Sequence, residues 1–505
     1  MTTINDIYIN ALLADAAYAN DLQDNDAGGD LARKLSPRMT QPQAAIIAAN
    51  FSVVSHIESS DVLGSGFDAT VWQGNAGTSY AGKIYVSMQG TQGPGDFLSD
   101  IDLATNGAAR AQYVDMVNWW LRITTPTNVY VPQIRLALGM GGYYFESAGA
   151  VAGTGQLVGV TQVEVNGHSL GGHLASAFAR IFGASVGIDH VTTFNSAGFS
   201  GGSEAVFSQL QSLLNTGTGS FLGGVQTNVF AEHGINVTTN GFFFNQIGQR
   251  ISLFNEEGAT IPNHLMYKLT DTLALCDVLG MIDEGLSLAD ATKILDAASS
   301  EPAASLETLL DSLRKLYWKA DDKTPIGDAG DSAATRVAYH ENLDFLRSML
   351  QNGALPSGEI ISLVGQAPAA VGAQAAEENE AGLAIRYALM ALNPFALVGA
   401  DYSLHNQNGE LELHDEETDE GALSENWLTD RARMLSAKIA VNTTDSNLAS
   451  PGYFKDIATD TVLGGNLFGW PAAPSSAGTA PTASKAVSTT TGSTAARGAT
   501  ASTAA

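Results

Sequence analysis

The chain has 505 residues and carries 52 acidic against 24 basic side chains, a net charge of −28. No surplus of cations exists to neutralise phosphates, so nucleic acid is excluded as a favoured partner, and electrostatic docking on anionic membranes is disfavoured. With 45% apolar residues the chain can build a large core, and its single cysteine, Cys276, excludes an intrachain disulfide.

The length alone suggests two to four domains. Apolar spacing predicts an opening helix from Ile4 to Ala17. Strands are predicted at Val53 to Ile57, Ala69 to Trp72 and Lys83 to Met88, the last two joined by the turn-rich Gly74-Asn75-Ala76-Gly77. Ala108 to Ile123 reads as an amphipathic helix carrying Trp119 and Trp120. Thr161 to Val165 and His190 to Phe194 read as strands, with a helix from Leu174 to Phe182 between them. Strands alternating with helices imply an α/β fold with a mostly parallel central sheet. From residue 265 the pattern turns helical, at Met266 to Leu279, Leu288 to Ala297, Leu306 to Trp318 and Ala333 to Leu350. Cys276 lies in the first of these and reads as a core residue. Further helices are expected near Gly382 to Leu392 and from Leu423 to Val441. From Pro471 to Ala505 there is no aromatic residue and no Leu, Ile or Met, so this tail is expected to be disordered.

The most informative stretch lies where the strand before residue 167 meets the helix after it. Gly167-His168-Ser169-Leu170-Gly171 fits Gly-x-Ser-x-Gly, and strand, tight turn and helix are the setting that makes this pattern a nucleophile elbow. The sharp turn requires glycine at 167 and 171 and lifts the Ser169 hydroxyl above the sheet edge, at a helix N-terminus. An activated serine then needs a base, an orienting acid and donors for an oxyanion.

A second segment complements the elbow. The predicted strand ending at Met88 runs through Gln89 into Gly90-Thr91, followed by a helix start at Asp96-Phe97-Leu98-Ser99-Asp100. A strand ending in Gly-Thr, an aromatic-x-x-Asp helix and then Gly-His-Ser-Leu-Gly-Gly resembles the class 3, fungal-lipase-like α/β-hydrolases. Thr193-Phe194-Asn195-Ser196-Ala197-Gly198 resembles that family's strand after the elbow helix, without its Pro-Arg-Val-Gly. The resemblance covers residues 53 to 275 and departs at Gln89, where the family carries Arg. It implies that Thr91 and the backbone N–H of Leu170 form the oxyanion hole. Together with the helical pattern after residue 265 and the composition of the tail, it gives a division into a class 3 lipase-like hydrolase domain over 1–280, a helical extension over 281–350, a region of uncertain fold over 351–470 and the tail over 471–505.

Chain order in this fold is serine, acid, histidine. His264, 95 residues after Ser169, sits on a loop entering the helix that starts at Met266 and resembles the family's catalytic loop histidine. His173 lies one turn into the elbow helix and reads as packing, and His190 starts a strand at the wrong end of the sheet. Between His190 and His264 there is no aspartate. The carboxylates there are Glu204, Glu232, Glu256 and Glu257. Glu232, at a strand end 63 residues after Ser169, is the best match for the acid. Asn236 is its rival and would orient His264 without charge.

Phe97, Leu98, Ile101 and Leu103, and separately Phe242-Phe243-Phe244, are candidate walls of an acyl pocket. No metal or cofactor motif is visible, and Asp415 to Glu420 reads as a solvated charge run. The expected activity is hydrolysis of lipid esters, as a triacylglycerol lipase, with a phospholipase of the A1 type, including one exported as a toxin, as the alternative. A non-catalytic binding module is the reading from another class. No stretch approaches the ~18 apolar residues of a membrane span. The N-terminus lacks a basic, then apolar, leader pattern. The expectation is therefore an extracellular protein exported without such a leader, with the cytoplasm as alternative.

Overall fold

The computed structural model describes residues 2–58, 65–90, 108–140, 142–200, 202–217, 219–233, 245–256, 262–299, 304–317, 326–329, 333–443, 452–456 and 461–465. The chain opens with helix α1 (Ile4–Ala16), started by a capping box. The Thr3 hydroxyl accepts the Asp6 N–H at 3.1 Å, and the Asp6 carboxylate accepts the Thr3 N–H at 3.0 Å. Helices α2 (Gly28–Leu35) and α3 (Gln41–Asn50) follow, then strands β1 (Phe51–Ile57), β2 (Ala69–Gly74) and β3 (Ile84–Met88). Helix α4 (Ala108–Ile123) leads into a two-stranded ribbon, β4 (Tyr130–Gly139) and β5 (Gly142–Ala152). The central sheet resumes with β6 (Gln162–His168), helix α5 (Leu170–Phe182), β7 (Gly187–Phe194), helix α6 (Ser203–Leu214), β8 (Gln226–Ala231) and β9 (Gln249–Leu253).

The seven strands of the main sheet stand in the order β1-β2-β3-β6-β7-β8-β9. β1, β2 and β3 pair antiparallel, whereas β3, β6, β7, β8 and β9 run parallel. The α/β architecture with a mostly parallel sheet is therefore as the alternating pattern required. Successive residues face opposite layers. Val71, Val86, Val165 and Val191 form one row across four strands and pack, fully buried, on the layer of α4, α5 and α6. Trp72, Tyr85, Phe194 and Val229 face the other way, into a second core built on α1.

That second core is completed from the far end of the chain. After helices α7 (Met266–Ile282), α8 (Leu288–Asp296), α9 (Ser305–Tyr317) and α10 (Ala333–Gln351) come strand β10 (Glu359–Ser362), helices α11 (Pro368–Ala375) and α12 (Glu380–Ala391), strand β11 (Phe395–Val398) and helix α13 (Glu425–Asn442). A backbone hairpin, β12 (Gly452–Asp456) and β13 (Thr461–Gly465), comes last. One buried apolar cluster runs from Ile4 through α7 to Ile439 in α13.

α1 and α7 have no single apolar face because both are largely enclosed, α1 between the sheet and α7, and α7 beneath α10. Two buried carboxylates of α7 are matched by cations. Asp271 of α7 takes two hydrogen bonds from Arg336 (2.6 and 2.9 Å) and one from His340 Nε2 (2.8 Å), both on α10. Burial alone would raise the Asp271 carboxyl, but the Arg336 guanidinium and His340 hold it below its ordinary value. Asp277 is bound by Arg347 at 2.9 Å and by Asn5 of α1 at 2.8 Å.

The elbow helix starts at Leu170, four residues earlier than its apolar pattern indicated, because the turn itself is its first cap. Helices α2 and α3 and the β4–β5 ribbon were not anticipated. The tail over 471–505 lies outside the described residues. No described helix is long and apolar enough to cross a membrane.

Removing Arg336 strands Asp271 as a buried charge. Arg336→Ala is expected to cost about 3–5 kcal/mol in urea unfolding, with the Asp271→Asn/Arg336→Met double variant recovering most of that loss. A single variant as stable as the parent would show that the pair bears no structural load.

Candidate active site

Strand β6 ends at His168 and α5 begins at Leu170, so one residue makes the whole turn. Ser169 adopts φ 56° and ψ −124°, a conformation that L-residues rarely hold and that stores strain at a site. Three close approaches impose it. A Cβ on Gly167 would come within 2.3 Å of Gly171 O, one on Gly171 within 2.0 Å of Met88 O, and one on Gly172 within 2.6 Å of Ser196 Cβ. The glycines expected at 167 and 171 are thus required by backbone contact, and Gly172 by the turn after β7. The Ser169 N–H donates to Phe194 O at 2.9 Å, tying the turn to β7. Ser169 itself is buried, at 7% exposure, at the head of α5.

The end of β3 lies against this turn. A Cβ on Gly90 would sit 2.7 Å from His168 O and 3.2 Å from Leu170 N. The backbone N–H of Leu170 therefore borders the Gly90 turn, at the N-terminal end of a helix where N–H groups are free of intrahelical partners. Thr91 lies outside the described residues. Gln89 is buried and its N–H donates to Asp68 O at 3.0 Å.

His264 closes a short 3-10 turn, Pro262–His264, just before α7. The structure brings this residue to the elbow across 95 positions of sequence. Its ring is buried and its centroid lies 4.9 Å from that of His168, the neighbour of Ser169. Its carbonyl accepts two hydrogen bonds, from His168 Nε2 at 2.8 Å and from Asn195 Nδ2 at 3.0 Å. Asn195, at φ 46° directly after β7, also accepts the Ala231 N–H at 2.8 Å. One side-chain amide thus joins the end of β8 to the His264 turn. Sequence reading gave Asn195 and His168 no role. The signal for His168 was its place inside the elbow motif, and asparagine in the left-handed region after a strand was the signal for Asn195.

The other histidines are placed elsewhere. His173 is locked between Tyr113 OH (2.6 Å) and Gly198 O (3.3 Å), stacked on Phe199, and burial lowers it to about 4. His190 bonds Thr227 at 3.0 Å.

The carboxylates separate clearly. Glu204 pairs with Arg180 at 2.7 Å. Glu232 stands at the end of β8 with its N–H donating to Leu253 O (3.0 Å) and its side chain exposed. Its charge reaches α8, where burial and Glu232 together raise Asp296 to about 6. Asn236 and Glu257 lie outside the described residues, as do Phe97 and Phe242 to Phe244. Glu256 is buried and turned away to α9. It accepts the Leu306 N–H at 3.0 Å, and burial together with the Glu307 carboxylate pushes it up to about 9. A carboxyl that is neutral at pH 7 and committed to a helix N-terminus is unsuited to orienting an imidazole.

No family model matches the chain, and no curated protein does. Among solved structures, the Lip2 lipase from Yarrowia lipolytica aligns at 14% identity and a TM-score of 0.28, over 49% of this chain and 78% of the lipase.

The Glu256–Glu307 contact has a definite pH signature. Because the folded pair keeps a proton that the unfolded chain releases near its ordinary carboxyl value of 4.5, stability falls as pH rises from there to about 9. Glu256→Gln keeps an acceptor for Leu306 and is expected to flatten that decline, measured as melting temperature between pH 5 and 9. Parallel curves for parent and variant would exclude a shared proton.

Proposed function

We propose that this protein is a serine hydrolase of carboxylic esters whose substrates are lipid esters, with triacylglycerol as the first assignment. The observation that carries the reading is the strained Ser169 turn at the head of α5, and it is supported by the His264 ring lying 4.9 Å from that of His168, the residue before Ser169. Nothing in core packing calls for a serine at positive φ at the end of a buried strand. Glycine would hold that turn without strain.

In this reading Ser169 Oγ attacks the ester carbonyl carbon as its proton passes to the His264 imidazole. The N–H groups of Leu170 and Thr91 receive the developing oxyanion. Collapse expels the alcohol, protonated by His264, and leaves an acyl group on Ser169. A water molecule, deprotonated by His264, then releases the fatty acid. Glu232 is assigned as the residue that orients His264, and Asn236 is the alternative. No metal or cofactor takes part.

The test is hydrolysis of nitrophenyl esters from butyrate to palmitate, alongside labelling by a fluorophosphonate. Ser169→Ala should abolish labelling and lower turnover by several powers of ten, since such residues act as a unit. Activity confined to butyrate would make the protein an esterase, and preference for phosphatidylcholine over triolein would make it a phospholipase. A wild-type protein that neither labels nor hydrolyses would overturn the proposal in favour of a binding module.

The acid is resolved by a pair of variants. Glu232→Gln should lower kcat by ~10³ with KM little changed if Glu232 holds the imidazole, by analogy with neutralising the acid of other triads. If the loss instead follows Asn236→Ala, the uncharged orienter is in place.

A further inference from the structure

Beneath the elbow lies a chain of hydrogen bonds that the proposed chemistry does not itself use. The Gly90 N–H donates to Tyr18 OH at 2.8 Å. Tyr18 OH lies 3.0 Å from His168 Nδ1, and His168 Nε2 lies 2.8 Å from His264 O. Tyr18 follows α1, 150 residues from His168 in sequence, and packs edge-on to its ring at 5.8 Å. Every link is buried or partly so.

Only one assignment of protons satisfies the chain with a neutral His168. The His264 carbonyl is an acceptor only, so His168 Nε2 carries the hydrogen and Nδ1 bears the lone pair. Tyr18 must therefore donate to Nδ1, while its oxygen takes the Gly90 N–H. Burial, with His264 close by, holds His168 far below its ordinary histidine value, so the ring stays neutral and this tautomer persists. Burial also raises the Tyr18 hydroxyl, keeping it a donor at any working pH. Arg38 fixes Tyr18 from behind, its guanidinium 4.7 Å from the ring centroid and paired with Asp15.

We infer that Tyr18 and His168 are positioning residues that set the backbones of the His264 turn and of the Gly90 turn relative to Ser169. The base and the oxyanion turn come from separate parts of the chain, one before α7 and one after β3. His168 is covalently next to Ser169, so a rigid link through its ring references both to the nucleophile. Displacing a catalytic group by about 1 Å can cost 10²-fold in rate. The relay touches neither substrate nor reacting atoms. Its function rests on the hydrolase reading.

The test compares Tyr18→Phe, His168→Leu and His168→Gln with the parent on a soluble short-chain nitrophenyl ester, following kcat, KM, fluorophosphonate labelling rate and melting temperature. Tyr18→Phe keeps the ring and loses only the hydroxyl. It should lower kcat and the labelling rate together by about 10- to 100-fold, with KM within threefold. His168→Leu should lose at least as much. His168→Gln, whose amide can donate to His264 O and accept from Tyr18, should recover most of the rate. Unchanged rates in Tyr18→Phe would overturn the inference, as would a loss expressed mainly in KM. A glutamine variant no better than leucine at equal melting temperature would do the same. In all these outcomes the parent is labelled, which separates them from failure of the hydrolase reading, where the parent itself does not react and the relay falls with it.

Discussion

Three backbones meet at the elbow with no room for a single Cβ between them. Gly171 lies against Met88 O at the end of β3, and Gly167 against Gly171 O. This contact sets how closely α5 approaches the sheet, and with it the conformation of Ser169 and the direction of its hydroxyl. A methyl group at either glycine would push helix and strand apart, and the serine could relax to an ordinary φ. Strain of this kind persists only where the surroundings over-determine it. The valine row under α5 and the Ser169 N–H bond to Phe194 provide that determination.

The His264 turn is held by its own carbonyl, gripped by His168 and Asn195, and by the helix that follows it. α7 is in turn fixed by pairs of opposite charge to α10 and by Asn5 of α1. At these two sites the buried carboxylates are matched by guanidinium groups, which offsets the cost of taking them out of water. Helix α10 thus contributes, through α7, to the setting of the His264 turn.

The α/β class, the parallel strands and most helices were legible because their periodicity and punctuation are local. The elbow was the most legible feature of all, since its two glycines, its serine and its flanking strand and helix stand within about twenty residues. Helices α2 and α3 were not, as Gly28-Gly29 and Pro42 read as breakers although both stand at helix starts. The β4–β5 ribbon alternates poorly because much of it is exposed on both faces. The partnership of Tyr18, His168 and Asn195 was invisible for a different reason. It depends on groups 69 to 150 residues apart meeting in a tertiary arrangement that no local pattern encodes. The acid stayed ambiguous because the carboxylates of the interval differ in environment, not in sequence context. Glu256, buried against α9, shows how environment can remove a candidate that chemistry alone would keep.

The placement of α1 bears on how the chain reaches its native state. Asn5 bonds Asp277 across 272 residues, and the core around Ile7, Leu12 and Leu13 is shared with α7. Helix α1 therefore leaves the ribosome long before α7, the helix it packs against. At elongation rates of roughly 5–20 residues per second, the interval before α7 and α10 emerge lasts tens of seconds. Through that time an unsheltered apolar face and the edge of a growing sheet coexist, the circumstance in which nascent chains call on chaperones. The same long closure joins α1, α7 and α10 in one core, so loosening at α10 reaches α1, and through Tyr18 the Ser169 turn.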